Sequence, residues 1–218
     1  MQITVNQITL FYEKSGNGEP LLLLHGNGED HHIFDPLAEK LSKHYTVYSI
    51  DSRNHGASSE TPDISYDLMM GDIDAFITAL QLAPVSIVGF SDGAIISLML
   101  AMQHGAMINK MALLGVNLKP EDFTEESCAF VKNMYEETGD PLFRLMLEEP
   151  NIELEDVKSV LTPTLILAGE HDIFKPETFV RLEAAMPNAA LKILPGHEHD
   201  SYITQNDMLY PDLLSFLA

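Results

Sequence analysis

The chain has 218 residues, enough for one domain with a sizeable core, and 45% of them are hydrophobic, as in ordinary soluble globular proteins. A formal net charge of −21 repels polyanions, which argues against nucleic acid and anionic membranes as partners and favours neutral or cationic small molecules. No apolar run reaches the roughly 18 residues of a membrane span, the N-terminus does not read as a signal peptide, and the single Cys128 reads as an apolar filler, so a cytoplasmic location is expected.

Two alternating stretches, 2–5 and 7–13, predict a hairpin or edge strands. Gly16-Asn17-Gly18 marks a turn. Pro20-Leu21-Leu22-Leu23-Leu24 has the unbroken apolar character of a strand buried on both faces, and His25-Gly26-Asn27-Gly28 closes it. Asp35 and Pro36 predict an N-cap and a first helical position, with Leu37, Ala38 and Leu41 facing inward. A strand over 46–50 ends at Asp51 and gives way to a polar loop. Ser65 caps a helix in which Leu68, Ile73, Phe76, Ile77 and Leu80 recur near a period of 3.6. The pattern then predicts a strand over 85–88, an apolar helix over 93–104 stopped by Gly105, and strands over 110–116 and 164–168. A helix over 177–186, a strand over 191–194 and a helix over 212–217 behind Pro211 complete the chain.

Strands and helices thus alternate from end to end. That predicts an α/β fold, with a mostly parallel central sheet flanked by helices on both faces. One acidic, helix-like segment, 118–161, interrupts the alternation. It reads as an insertion of about two helices inside a single domain spanning 1–218.

The stretch Gly89-Phe90-Ser91-Asp92-Gly93 sits where a predicted strand meets a predicted helix. Gly-x-Ser-x-Gly in that context is a nucleophile elbow. Its tight turn lifts the serine hydroxyl above the sheet and sets it at a helix N-terminus, where developing negative charge is favoured. A serine hydroxyl needs a base, and the base needs a carboxylate to orient it. Past the strand at 164–168, Asp172 is the preferred acid and Glu170 the runner-up. Past the strand at 191–194, His199 is preferred over His197. These two histidines form a His-x-His pair, but no further ligand stands near them, so no metal and no cofactor are expected. The oxyanion needs two donors. The N–H of Asp92 is one; the N–H of Asn27 is the other, with the Asn27 side-chain amide as the lesser alternative. His25 reads as a structural residue that holds its loop.

Taken in order, LLLLHGNG, DSRNHGAS, VGFSDGA, LILAGEHD and LPGHEH resemble the motifs of α/β-hydrolase-fold serine hydrolases, and the resemblance spans essentially the whole chain. Asn54 stands where the family's second motif usually has glycine, and Glu198 where a glycine commonly precedes the histidine. The resemblance implies acyl transfer: Ser91 as nucleophile, His199 as base and acid, Asp172 as its orienting partner. It also implies that 118–161 forms a small cap over the site, with Phe130, Met134, Phe143 and Met146 as candidate pocket residues. A carboxylesterase-like hydrolase of small or medium esters is the expected activity. A C–C bond hydrolase, thioesterase, lactonase or aminopeptidase would keep the same residues, and a ligand-binding member without catalysis is a further alternative.

Overall fold

A computed structural model describes residues 1–218. Its centre is an eight-stranded sheet with the order β1-β2-β4-β3-β5-β6-β7-β8. β1 (Gln2–Val5) and β2 (Ile8–Gly16) form the expected hairpin, turning at Asn6 and Gln7, both at positive φ. β2 runs antiparallel to β4 (Thr46–Ile50). From β4 onward every pairing is parallel, through β3 (Pro20–Leu24), β5 (Val85–Phe90), β6 (Ile108–Leu114), β7 (Thr164–His171) and β8 (Ala189–Glu198). No helix is long and apolar enough to cross a membrane.

β3 shows why the sheet is covered on both sides. Side chains alternate along a strand, and four consecutive leucines therefore feed two cores. Leu22 and Leu24 join the cluster built with Phe76 of α2 (Tyr66–Ala79), Ile95 of α3 (Asp92–His104) and Leu182 of α7 (Pro176–Ala185). Leu21 and Leu23 join the other, with Leu37 of α1 (Asp35–Leu41) and Leu213 of α8 (Tyr210–Leu217).

The chain leaves β3 toward β4 on one side and returns to β5 on the other. Such a reversal opens a crevice at the carboxyl ends of the strands. The loop after β3 and the turn after β5 meet there.

Three local expectations change. The helix predicted to begin behind an Asp35 cap is preceded by a 3-10 turn, His31–Phe34, which Asp30 caps by accepting from the His32 N–H; Asp35 lies inside α1. β7 and β8 outrun their predicted lengths by three residues or more, because both continue pairing into the motifs that follow them, as far as His171 opposite Glu198. Between β6 and β7 the chain builds α4 (Glu125–Thr138), α5 (Pro141–Glu148) and a single turn, α6 (Leu154–Val157), after a 3-10 turn at Pro120–Asp122.

Candidate active site

Ser91 closes β5 and caps α3 with φ 49° and ψ −112°, a backbone conformation that L-residues avoid. Neighbouring backbone enforces it. A Cβ on Gly89 would lie 2.2 Å from the Gly93 carbonyl oxygen, and one on Gly93 would lie 2.1 Å from that of Leu24. Glycine here answers close approach, not an unusual φ. The Ser91 N–H donates to Leu114 O at 2.8 Å and the Gly93 N–H to His25 O at 3.0 Å, so the turn is tied to both flanking strands.

The Nε2 of His199, just past β8, stands 3.1 Å from Ser91 Oγ. Its Nδ1 lies 2.8 Å from Oδ1 of Asp172, just past β7. A carboxylate there accepts from Nδ1–H, which leaves the Nε2 lone pair facing the serine hydroxyl. Asp172 is itself held by the N–H groups of Gly169 and Phe174, each at 3.3 Å. The rings of Phe90 and Phe174 flank the imidazole, with centroids 4.9 and 5.3 Å away. The runners-up are occupied elsewhere. Glu170 accepts from the Gly196 N–H at 2.8 Å, and His197 pairs with Ser201 Oγ at 3.1 Å.

The loop after β3 is pinned by histidines whose nitrogens are both spent on backbone. His25 Nε2 accepts from the Ser52 N–H, and its Nδ1 meets Gly26 O at 2.7 Å. Burial, reinforced by the neighbouring His55, pushes His25 down to about 4 and keeps it neutral. His55 Nε2 accepts from the Gly28 N–H at 3.0 Å, and its Nδ1 meets Arg53 O. The Asn27 side-chain amide is committed too, to Asp92 Oδ2 at 3.1 Å and to Leu142 O at 3.3 Å. The Asn27 and Asp92 N–H groups take no acceptor among the loop and turn backbone bonds.

Two carboxyl groups near Ser91 went unremarked in the sequence. Glu29 Oε2 accepts from the Gly26 N–H at 3.0 Å, and burial pushes its carboxyl up to about 7. Asp92, buried beside Ser91, accepts from Tyr66 Oη at 2.6 Å; burial raises its carboxyl as well. Glu29 lies just past the His25–Gly28 motif and Asp92 inside the elbow, but neither position announces a raised carboxyl, and Tyr66 lies 26 residues from Asp92.

Ser91 and His199 open into a cavity of about 610 Å³. Phe143 and Met146 of α5 line it, as expected; Phe130 and Met134 of α4 do not. The reason is helical geometry. α4 buries Val131, while Phe130, about 100° round the helix from it, is 60% exposed. Met134 is half-buried but outside the lining. Glu126 is the only α4 residue that reaches the cavity. Glu29, Glu126, Asp140, Glu198 and Asp200 line it with no lysine or arginine among them.

A family model described as alpha/beta hydrolase fold matches residues 19–139, more than half of the chain. The chain belongs to the α/β hydrolase fold family. Relatives of this α/β hydrolase include the AB hydrolase superfamily protein YisY of Bacillus subtilis (strain 168), 25% identical with 94% of each chain covered. The serine hydrolase BPHL of Homo sapiens is 27% identical, over 93% of this chain and 80% of its own. In three dimensions the α/β hydrolase resembles the enol-lactonase from Burkholderia xenovorans LB400, with a TM-score of 0.83 at 22% identity, covering 100% of this chain and 99% of that one. At that identity the likeness speaks for the fold.

Proposed function

We propose that this chain is a serine hydrolase that cleaves small or medium carboxylic esters through an acyl-enzyme. One observation carries the reading: a single imidazole bridges a strained serine hydroxyl at 3.1 Å and a carboxylate at 2.8 Å. Ser91 Oγ attacks the ester carbonyl as His199 Nε2 takes its proton, and Asp172 stabilises the imidazolium. The N–H groups of Asn27 and Asp92 receive the oxyanion, the second aided by the N-terminus of α3. His199 then protonates the departing alcohol. It next takes a proton from a water that attacks the acyl carbon, and returns that proton to Ser91 Oγ as the acyl–oxygen bond breaks and the carboxylic acid leaves.

The five carboxyl side chains around the cavity support a neutral or cationic small-molecule substrate over an anionic one. The segment 118–161 acts in this reading as a small cap, with Leu142, Phe143 and Met146 of α5 supplying the apolar contact for the acyl or alcohol group. Cytoplasmic action, without nucleic acid or membrane, agrees with the net charge of −21 and the one free cysteine.

A chromogenic short-chain ester and a fluorophosphonate probe test the proposal together. The wild type turns over the ester and takes the label at Ser91. Ser91→Ala does neither, with kcat/KM lower by at least about 10⁴-fold. An unlabelled wild type would overturn the hydrolase reading. Turnover of thioesters, lactones, amides or C–C bonds with none of esters would overturn the choice of bond and keep the nucleophile.

A further inference from the structure

Just after the loop that carries Asn27, a second group of side chains converges. His31 sits in the 3-10 turn after β3 and is only 5% exposed. Its Nδ1 lies 2.7 Å from Oδ1 of Asp51, which also accepts the His31 N–H at 2.9 Å. Oδ2 of the same carboxylate takes the Ala57 N–H at 2.8 Å. With Nδ1–H donated to Asp51, Nε2 is left with a lone pair. That atom is buried and has no hydrogen-bond partner. A buried polar nitrogen without a partner costs free energy unless something else meets it.

Potential metal donors lie around this imidazole. Glu13 Oε1, from β2, is 3.7 Å from Nε2. The ring of His32 lies beside that of His31, with centroids 4.0 Å apart. One donor atom each from Asp30, His31 and His32 lies within 4.8 Å of the others. His32 repeats the arrangement of His31: its Nδ1 is 3.0 Å from Oδ2 of Asp35, leaving its Nε2 free. A carboxylate behind each imidazole orients the ring and raises its basicity as a ligand, a habitual outer shell for a metal-bound histidine.

We propose that His31, His32 and Asp30, joined by Glu13, form a binding site for one divalent transition-metal ion of the zinc type. Two imidazoles with carboxylates suit zinc, nickel or cobalt rather than magnesium or calcium, which take oxygen ligands. Ligands about 2 Å from a tetrahedral ion stand about 3.3 Å from one another. The present spacing is wider, and the side chain of His32, 58% exposed, has room to close it. Such an ion would clip β2 to the turn after β3, three residues downstream of Asn27. It would act as a structural tie, with no part in the acyl transfer.

The donors are contributed by β2 and by a turn 17 residues later, so no ligand spacing in the sequence announces them. Titration of the untagged, chelator-treated full chain with zinc sulfate, followed by calorimetry and thermal unfolding, tests the site. One zinc ion per chain and a higher Tm are expected, with no response to magnesium at the same concentration. His32→Ala and Asp30→Asn, both at positions outside the core, should each weaken binding by at least about tenfold. His199→Ala should leave it unchanged. No zinc-dependent rise in Tm at about 100 μM would overturn the proposal and leave His31 as a buried partner of Asp51 and Glu13. Binding undiminished in both His32→Ala and Asp30→Asn, or abolished in His199→Ala, would overturn it as well.

Discussion

Ser91 and Met146 line one cavity, yet the ground beneath them differs. Around Ser91 backbone meets backbone at distances that exclude a single methyl group, and each loop is held by buried side chains with no spare hydrogen-bonding capacity. Met146 stands on α5, a helix of eight residues whose bond to the loop below runs from the Asn27 amide to Leu142 O. Its side chain is half-buried and meets the cavity through apolar contact. The contrast teaches that Ser91 and the groups that meet it are over-determined by the sheet, whereas the roof of the cavity rests on replaceable side chains.

The sharpest way to break the comparison is a methyl group in the floor. Gly115, just past β6, has φ +59°, and a Cβ there would lie 2.6 Å from His199 Cε1. Gly115→Ala should displace the imidazole and lower kcat/KM by about 10²-fold or more, with a native circular dichroism spectrum. Full turnover in a folded Gly115→Ala protein would show a floor far more pliable than these distances imply.

A second test separates two ionisable groups of the same loop. Glu29 is raised by burial from its ordinary 4.5 to about 7. Its contribution to stability is therefore complete below about 4.5 and is lost as pH rises through about 7. His25 is lowered from 6.5 to about 4, so its contribution is complete above 6.5 and is lost as pH falls through about 4. The two oppose each other. Glu29→Gln keeps an acceptor for the Gly26 N–H and removes only the first. Its Tm should climb more steeply than that of the wild type between pH 4.5 and 7, by about 2–4 °C over the interval for each kcal/mol unmasked. Parallel Tm profiles for the two proteins would remove Glu29 from this account.

The smallest effects belong to the roof. Met146→Ala should raise KM for longer acyl esters by up to about tenfold and leave kcat within about twofold, since it removes contact made equally before and during reaction. Phe130→Ala, outside the cavity, should change neither constant. A fall in kcat for either variant would mean that the roof takes part in chemistry.

Much of this arrangement is local and hence legible in one dimension. Gly89 and Gly93 bracket Ser91 because strand, turn and helix must close within five residues, and Leu21 to Leu24 announce a strand with two covered faces. Phe130 and Met134 were misplaced because composition says that a helix carries apolar residues and not which neighbour each one meets. His31 was invisible as a neighbour of Glu13 for the same reason.

The sequence by itself determined the order of strands and helices, the elbow and a short choice of acids and bases, since these follow from periodicity and from backbone geometry over a few residues. The sequence preferred His199 to His197 and Asp172 to Glu170, and only the tertiary structure brings that imidazole within reach of a serine 108 positions away, with that carboxylate behind it. It also decided that His55 joins His25, already legible as a structural residue, in holding that loop. Those outcomes depend on how strand ends are brought side by side. The parallel sheet sets that by burying both of its faces, and no local pattern records the distances that result.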